Sequence, residues 1–173
     1  MNLRVFSIGF SFLFLTFSFH SHCAFADESQ EGRLLVLGWL EEVSLYPSKL
    51  PLHAKLDTGA DTSSLHAENL ETYTKNGEEW VRFQVSNRAG EALTIDKKIR
   101  RHVRIKRKQG RSQMRPVVKL GICVGGVFES IEFNLVDRSN FSSAVLVGRN
   151  FLSGKILVDS AVSYTSEPSC TKG

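Results

Sequence analysis

An all-β barrel or sandwich is the fold class this chain predicts. Three observations carry it: a series of short apolar or alternating segments, glycine-containing turns between them, and the lack of any internal repeat or long helical period. The first strand is read over Arg33 to Leu40, from the run Leu34-Leu35-Val36-Leu37 extended by Trp39 and Leu40. Tyr46-Pro47 and Pro51 mark a loop. Leu52 to Leu56 forms a strand that runs into Asp57, and Ser63 to Leu70 is either one more short strand or a helical turn. Asn76-Gly77 is a hairpin signal followed by the alternating Trp80, Arg82, Phe83 and Val85, and Asn87 to Gly90 makes the next turn. Further strands are expected at Ala92 to Ile95, Val103 to Lys108, Met114 to Val124, Val127 to Val136, Val145 to Val147 and Ile156 to Val158. Gly125-Gly126 separates two of these, and a helical turn or two is allowed after Gly148.

With 173 residues the chain fits one domain, preceded by a leader. Arg4 is the only charge before Asp27, Val5 to Phe19 is apolar with small polar interruptions, and Ala24-Phe25-Ala26 follows. That order reads as a secretory signal over residues 1–26, too short in its apolar part for a spanning helix. The expected domain is then 27–173, in the periplasm or secreted. It keeps 21 of the 22 Lys and Arg and all 18 acids, a formal charge of +3. His22 before Cys23 does not fit the small-residue site of lipid attachment. Cys123 and Cys170 remain; an exported compartment permits a disulfide between them, and a buried free thiol in the apolar run Leu120 to Val124 is an equal alternative.

The most informative segment is Lys55-Leu56-Asp57-Thr58-Gly59-Ala60-Asp61-Thr62-Ser63-Ser64-Leu65. An apolar strand ends in a carboxylate, a hydroxyl and a glycine, which is how a tight turn presents one acid. The tripeptide alone does not establish an active site, because Asp and Thr cap ordinary turns and Gly allows positive φ. The apolar approach, Ala60, the apolar Leu65 and the distant Leu146-Val147-Gly148-Arg149-Asn150-Phe151-Leu152 together make a more specific pair.

This pair resembles the signature of retropepsin-type aspartic peptidases. Gln109-Gly110, Met114 to Leu120, Gly121-Ile122-Cys123-Val124-Gly125-Gly126 and Gly148-Arg149-Asn150 follow the second half of a retroviral protease, leaving an inserted hairpin around 76–104. A closer resemblance is to a bacterial retropepsin-like family often labelled ATP-dependent zinc proteases. It rests on Leu56-Asp57-Thr58-Gly59-Ala60, Leu65-His66-Ala67, Trp80-Val81-Arg82-Phe83, Arg115-Pro116-Val117-Val118, Asn134 to Ser139, Leu146-Val147-Gly148-Arg149 and Leu157-Val158-Asp159. The resemblance implies a closed acid-protease barrel with one catalytic turn per chain, so that two copies would pair their Asp57 carboxylates. Such a homodimer would hydrolyse peptide bonds by activating water at the Asp57/Asp57 dyad. Thr58 would tie the two turns through its hydroxyl, Gly59 would permit close backbone approach, and Ala60 completes the turn. Gly148, Arg149 and Asn150 would pack behind it. Asp61 is read either as a hydrogen-bonding acid beside the turn or as a solvated loop acid. Arg149 pairs with an acid or ties down the C-terminal strand, and Asp159 closes a turn or pairs with an arginine. Some relatives are associated with ATP-grasp amino-acid ligases, which implies an unusual peptide linkage as substrate.

Lys97 to Arg115 holds ten Lys or Arg and no acid. Lys108, Gln109, Gly110 and Arg111 fall where the resemblance implies a flap over substrate. A basic flap would attract an acidic peptide or protein, or an anionic envelope surface; the plainer role is a solvated hairpin whose charges blunt an exposed edge. Export and the lack of interleaved aromatics argue against nucleic acid. No cofactor is expected. His53, His66 and His102 lie far apart and no His-Glu-x-x-His occurs, so no metal site is assigned, and His66 is read as a structural hydrogen-bonding residue. Ser153-Gly154-Lys155 lacks the glycine spacing and hydroxyl of a phosphate loop. Two other classes stay open: a non-catalytic peptide-binding or scaffold module of the cell envelope, and, following the family label, a metal-dependent peptidase.

Overall fold

A computed structural model describes residues 34–105 and 112–171. The strands are β1 (Leu35–Gly38), β2 (Leu40–Tyr46), β3 (Leu50–Leu56), β4 (Ser63–His66), β5 (Glu68–Lys75), β6 (Glu78–Ser86), β7 (Ala92–Lys98), β8 (Arg101–Ile105), β9 (Gln113–Val124), β10 (Val127–Val136), β11 (Val145–Val147) and β12 (Ile156–Asp159). One helical turn, α1 (Arg149–Leu152), lies between β11 and β12.

The ring β10-β4-β11-β3-β2-β9 closes through the β9–β10 pairing, giving a six-stranded mixed barrel. Closure removes two sheet edges that would otherwise be open to pairing. β9 is long enough to serve three neighbours, β10 along residues 117–124, β2 along residues 121–124 and β8 along residues 113–117. In β2 and β3 the barrel is filled by alternation. β3 turns Leu50, Leu52, Ala54 and Leu56 inward, and β2 turns Val43 and Leu45 to meet them. Phe133 and Leu135 of β10 and Phe151 of α1 complete the filling. Each such large side chain contributes about 1.5–3 kcal/mol by leaving water.

β5, β6 and β7 form a separate three-stranded antiparallel sheet. Of the hairpin expected around 76–104, β6 and β7 lie in this sheet, which starts earlier, at Glu68, whereas Arg101 to Arg104 fall in β8 and pair with β9. Asn76 (φ 52°) and Gly77 (φ 77°) make its first turn, the paired positive φ that suits a two-residue hairpin. Val81, Phe83, Val85 and Ile95 bury one face.

Three readings needed correction. The segment Arg33 to Leu40 is two strands that part at Trp39, and the second continues through polar residues to Tyr46. Pro51 lies inside β3 and not in a loop; the connection is only Tyr46 to Leu50, with a cis Tyr46-Pro47 bond. Ser63 to Leu70 holds all of β4 and the start of β5, so the helical alternative falls.

The C-terminal segment is strapped to β2 and to the turn after β9. The Tyr164 amide donates to the Leu40 carbonyl and the Ser169 amide to the Gly125 carbonyl. Cys170 forms a disulfide with Cys123 of β9 across 47 positions, which settles the alternative left open by the sequence. A loop of that length is worth on the order of 4 kcal/mol by chain entropy alone.

Candidate active site

Asp57 stands where β3 leaves the barrel. β11 inserts between β3 and β4, parallel to the first and antiparallel to the second, so the chain ends of all three meet at one place. The Asp57 amide donates to the Val147 carbonyl at 2.8 Å, which carries the β3–β11 ladder one step into the turn. The turn then closes on itself. The Ala60 amide donates to the Asp57 carbonyl at 3.2 Å, and the Gly59 amide donates to Asp57 Oδ1 at 3.0 Å. One carboxylate oxygen is thereby fixed by the backbone. The other faces the Lys55 ammonium at 3.6 Å, a half-exposed pair of small energetic weight. Thr58 and Gly59 are exposed, and Asp57 is partly so.

The segment after β11 holds the turn from behind. The Arg149 amide donates to the Ala60 carbonyl at 2.8 Å and the Asn150 amide to the Asp61 carbonyl at 3.1 Å. Arg149 Nη1 donates to the Thr58 carbonyl at 2.7 Å, and the same guanidinium forms an ion pair with Asp61. Of the two alternatives for Arg149, pairing with an acid is the one observed, and Asp61 is the acid. Asp159 closes a turn by accepting from the Ala161 amide at 2.9 Å.

Gly148 has a steric reason. A Cβ there would lie 2.8 Å from the Thr62 carbonyl carbon and oxygen and 2.9 Å from the Ala60 carbonyl oxygen, all main chain. Gly148→Ala must therefore push the 57–62 turn away from β11. The expected result is a loss of about 1–3 kcal/mol of stability, the range of core overpacking, measured as a lowered urea midpoint. Unchanged stability with an unmoved Asp57 turn would contradict it.

Two polar residues here were quoted in the sequence without a role. Ser63 is fully buried; its hydroxyl donates to Asn150 Oδ1 at 2.7 Å and accepts from the Gly148 amide at 3.0 Å. Asn134, also buried, donates to the Ser63 carbonyl at 2.7 Å. The available signal was alternation: Ser63 shares a strand face with Leu65, and a polar residue at a core position needs partners.

Lys108, Gln109, Gly110 and Arg111, the expected flap tip, lie outside the described residues. Of the basic stretch, Lys98 pairs with Glu78 and Arg101 with Glu132, so part of the charge is balanced within the chain. His66 Nδ1 accepts from the Arg138 amide at 2.8 Å, a structural bond of the kind expected for it. Among the described residues no group of three or more His, Cys, Asp or Glu is placed to hold a metal.

Residues 36–169 match the family model of RimB-like proteins, described as retropepsin-like aspartic endopeptidase RimB. Among curated proteins, a probable alpha-L-glutamate ligase of Shewanella pealeana is 34% identical over 116 residues, covering 65% of this chain and 25% of that protein. One of Desulfotalea psychrophila is 31% identical over 143 residues, covering 78% of this chain and 30% of that protein. The chain thus spans less than a third of the length of these relatives. A crystal structure of the Legionella pneumophila protein Lpg0085, of unknown function, is 33% identical with a TM-score of 0.66, covering 77% of this chain and 98% of that one.

Proposed function

The chain belongs to the RimB-like family of retropepsin-like aspartic endopeptidases, and from that premise we propose that it is an exported aspartic-type endopeptidase active as a homodimer. The observation that carries this reading is the single Asp57 turn, held by main-chain hydrogen bonds with its carboxylate accessible at the barrel end. One acid per chain is half of an aspartic dyad. When two such carboxylates meet across a two-fold axis they cannot both ionise cheaply, so the pair shares one proton. The ionised member takes a proton from water while the protonated member polarises the peptide carbonyl; the titration then belongs to the dyad as a unit. The exposed Thr58 and Gly59 leave the tip of the turn free for a second copy. Export is supported by the leader-like residues 1–26 and by the Cys123–Cys170 disulfide, which suits an oxidising compartment.

For substrate, we favour acidic peptides. The relatives' name points to glutamyl chemistry, and the cationic stretch from Lys97 to Arg115 would attract such a chain. Their ligase activity is not carried over, because this chain matches only a quarter to under a third of them. That same partial match favours one second reading, a non-catalytic module that binds glutamyl peptides.

The test is a cleavage assay on glutamate-rich peptides across a dilution series, with sedimentation in parallel. Specific activity is expected to fall as the dimer dissociates, to resist chelators and to yield to pepstatin-type inhibitors. Full activity of a monomer at high dilution would overturn the dyad, and saturable binding without turnover would favour the second reading.

A further inference from the structure

A cavity of about 390 Å³ opens between the turn at residues 87–90 and the loop at residues 137–144, against β3. Asp57 is not on its wall. The wall instead carries Arg138, only 6% exposed, whose guanidinium has no carboxylate within ion-pair reach among the described residues. Arg138 Nε donates to the Ser143 carbonyl at 3.1 Å and Nη1 to Ser64 Oγ at 3.0 Å, and the group stacks on Phe141 at 4.6 Å. Among the described residues its Nη2 has no hydrogen-bond partner. Burial, followed by the nearby Arg115 charge, pushes this guanidinium below the ordinary arginine value, opposed by the field of Asp57. A buried cation facing neutral partners is expensive, and an arriving anion would offset that cost. Arg88 extends the positive wall at the rim, where its Nη2 donates to the Ser142 carbonyl at 2.6 Å. The one acid on the wall, Glu42, sits directly across the β2–β3 ladder from His53 and shares its neighbourhood.

We propose that this cavity is a carboxylate-binding site, in which Arg138 and Arg88 hold the carboxylate of a small organic acid or of a peptide C-terminus. The planar fork of a guanidinium matches a carboxylate in bidentate fashion. The apolar surfaces of Phe141, Leu52 and Pro51 suit the body of such a ligand better than a fully hydrated phosphate, which would call for a nest of backbone N–H donors. The volume fits one small acid or one terminal residue. The proposal stands whether or not Asp57 hydrolyses peptides.

The experiment titrates the ¹⁵N-labelled protein with N-acetyl-L-alanine, its uncharged amide, alanine, and inorganic phosphate. N-acetyl-L-alanine is expected to saturate, with amide shifts centred on Arg138, Ser142 and Ser143. Free alanine tests the small-acid source, and tighter binding of the N-acetylated form assigns the site to a peptide terminus. Arg88→Gln, at an exposed position, should weaken binding about tenfold, the worth of one charge-assisted hydrogen bond. Arg138→Gln should abolish it, and where that variant does not fold, Arg88→Gln decides. Equal binding of the amide, tighter binding of phosphate, no saturation by either acid, or an unchanged affinity in Arg88→Gln would overturn the proposal.

Discussion

Asp57→Asn is expected to lower kcat/KM for peptide cleavage by about 10⁴-fold, the upper range for loss of an acid–base pair, while the protein stays folded and dimeric. Both halves of the expectation follow from the turn. Its main-chain bonds, from the Asp57 amide to Val147 and from the Ala60 amide to Asp57, are untouched by the substitution. The bond from the Gly59 amide to Asp57 Oδ1 is retained in weaker form, because an asparagine oxygen still accepts although it carries no charge. The Lys55 contact is lost, but an exposed pair of that kind contributes at most about 1 kcal/mol. The chemistry is not spared. In a homodimer one substitution changes both carboxylates, and two amides can neither share a proton nor take one from water. Peptide turnover, sedimentation and thermal melting on the same preparation separate the two effects. Undiminished cleavage by the purified variant would remove Asp57 from catalysis, and loss of activity together with the dimer would leave the turn a structural role only.

The acid turn was legible because its signal is local: an apolar strand, a carboxylate and a glycine within a few residues. Its second half, Gly148 to Asn150, was legible through resemblance, and the structure supplies the reason for that spacing, since β11 lies beside β3 and delivers Gly148 under the turn. β10 and β11 have the bounds expected from their apolar residues, and the Trp80 to Val85 segment lies inside β6. β2 and β5 were not legible in this way. In β2 the residue breaking the apolar pattern is Glu41; apart from the nearby Gly38 amide its partners, Thr165 and Ser166, lie more than a hundred positions away, beyond any local window of sequence. β5 is mostly exposed and polar, leaving no apolar face to read. Ser63 and Asn134 belong to the same class as Glu41: buried polar groups are decided by tertiary partners, not by local pattern.

Glu41→Ala is expected to destabilise the protein by at least about 3 kcal/mol, because several buried donors lose their acceptor at about 1–3 kcal/mol each, and to free the C-terminal strap. Glu41 is fully buried, and no cation balances it in an ion pair among the described residues. Its carboxylate accepts instead from the Gly38 amide at 2.7 Å, the Thr165 amide at 3.0 Å, the Thr165 hydroxyl at 2.5 Å and the Ser166 amide at 3.1 Å. Gly38 must be glycine here, because a Cβ would lie 2.6 Å from the Val162 carbonyl oxygen and 2.9 Å from Glu41 Oε1. Burial alone would push the Glu41 carboxyl up, but the hydrogen bonds from Thr165, Ser166 and Gly38 outweigh it and hold the group below the ordinary glutamate value. The sign of the pH dependence follows. A carboxyl with a lowered folded-state value stabilises the fold above its unfolded value, about 4.3, and that contribution is lost as pH falls through the folded-state value. Urea unfolding of the wild type should therefore weaken on acidification in this window, and the Glu41→Ala curve should lack that component. Deleting the side chain also strands buried N–H donors, each costing about 1–3 kcal/mol. The Cys123–Cys170 bridge keeps the far end of the strap tethered, so the loosened part should be residues 162–166, seen as faster amide exchange at Thr165 and Ser166. An unchanged urea midpoint, or retained protection at those two amides, would show that the strap is held by the disulfide and not by the carboxylate.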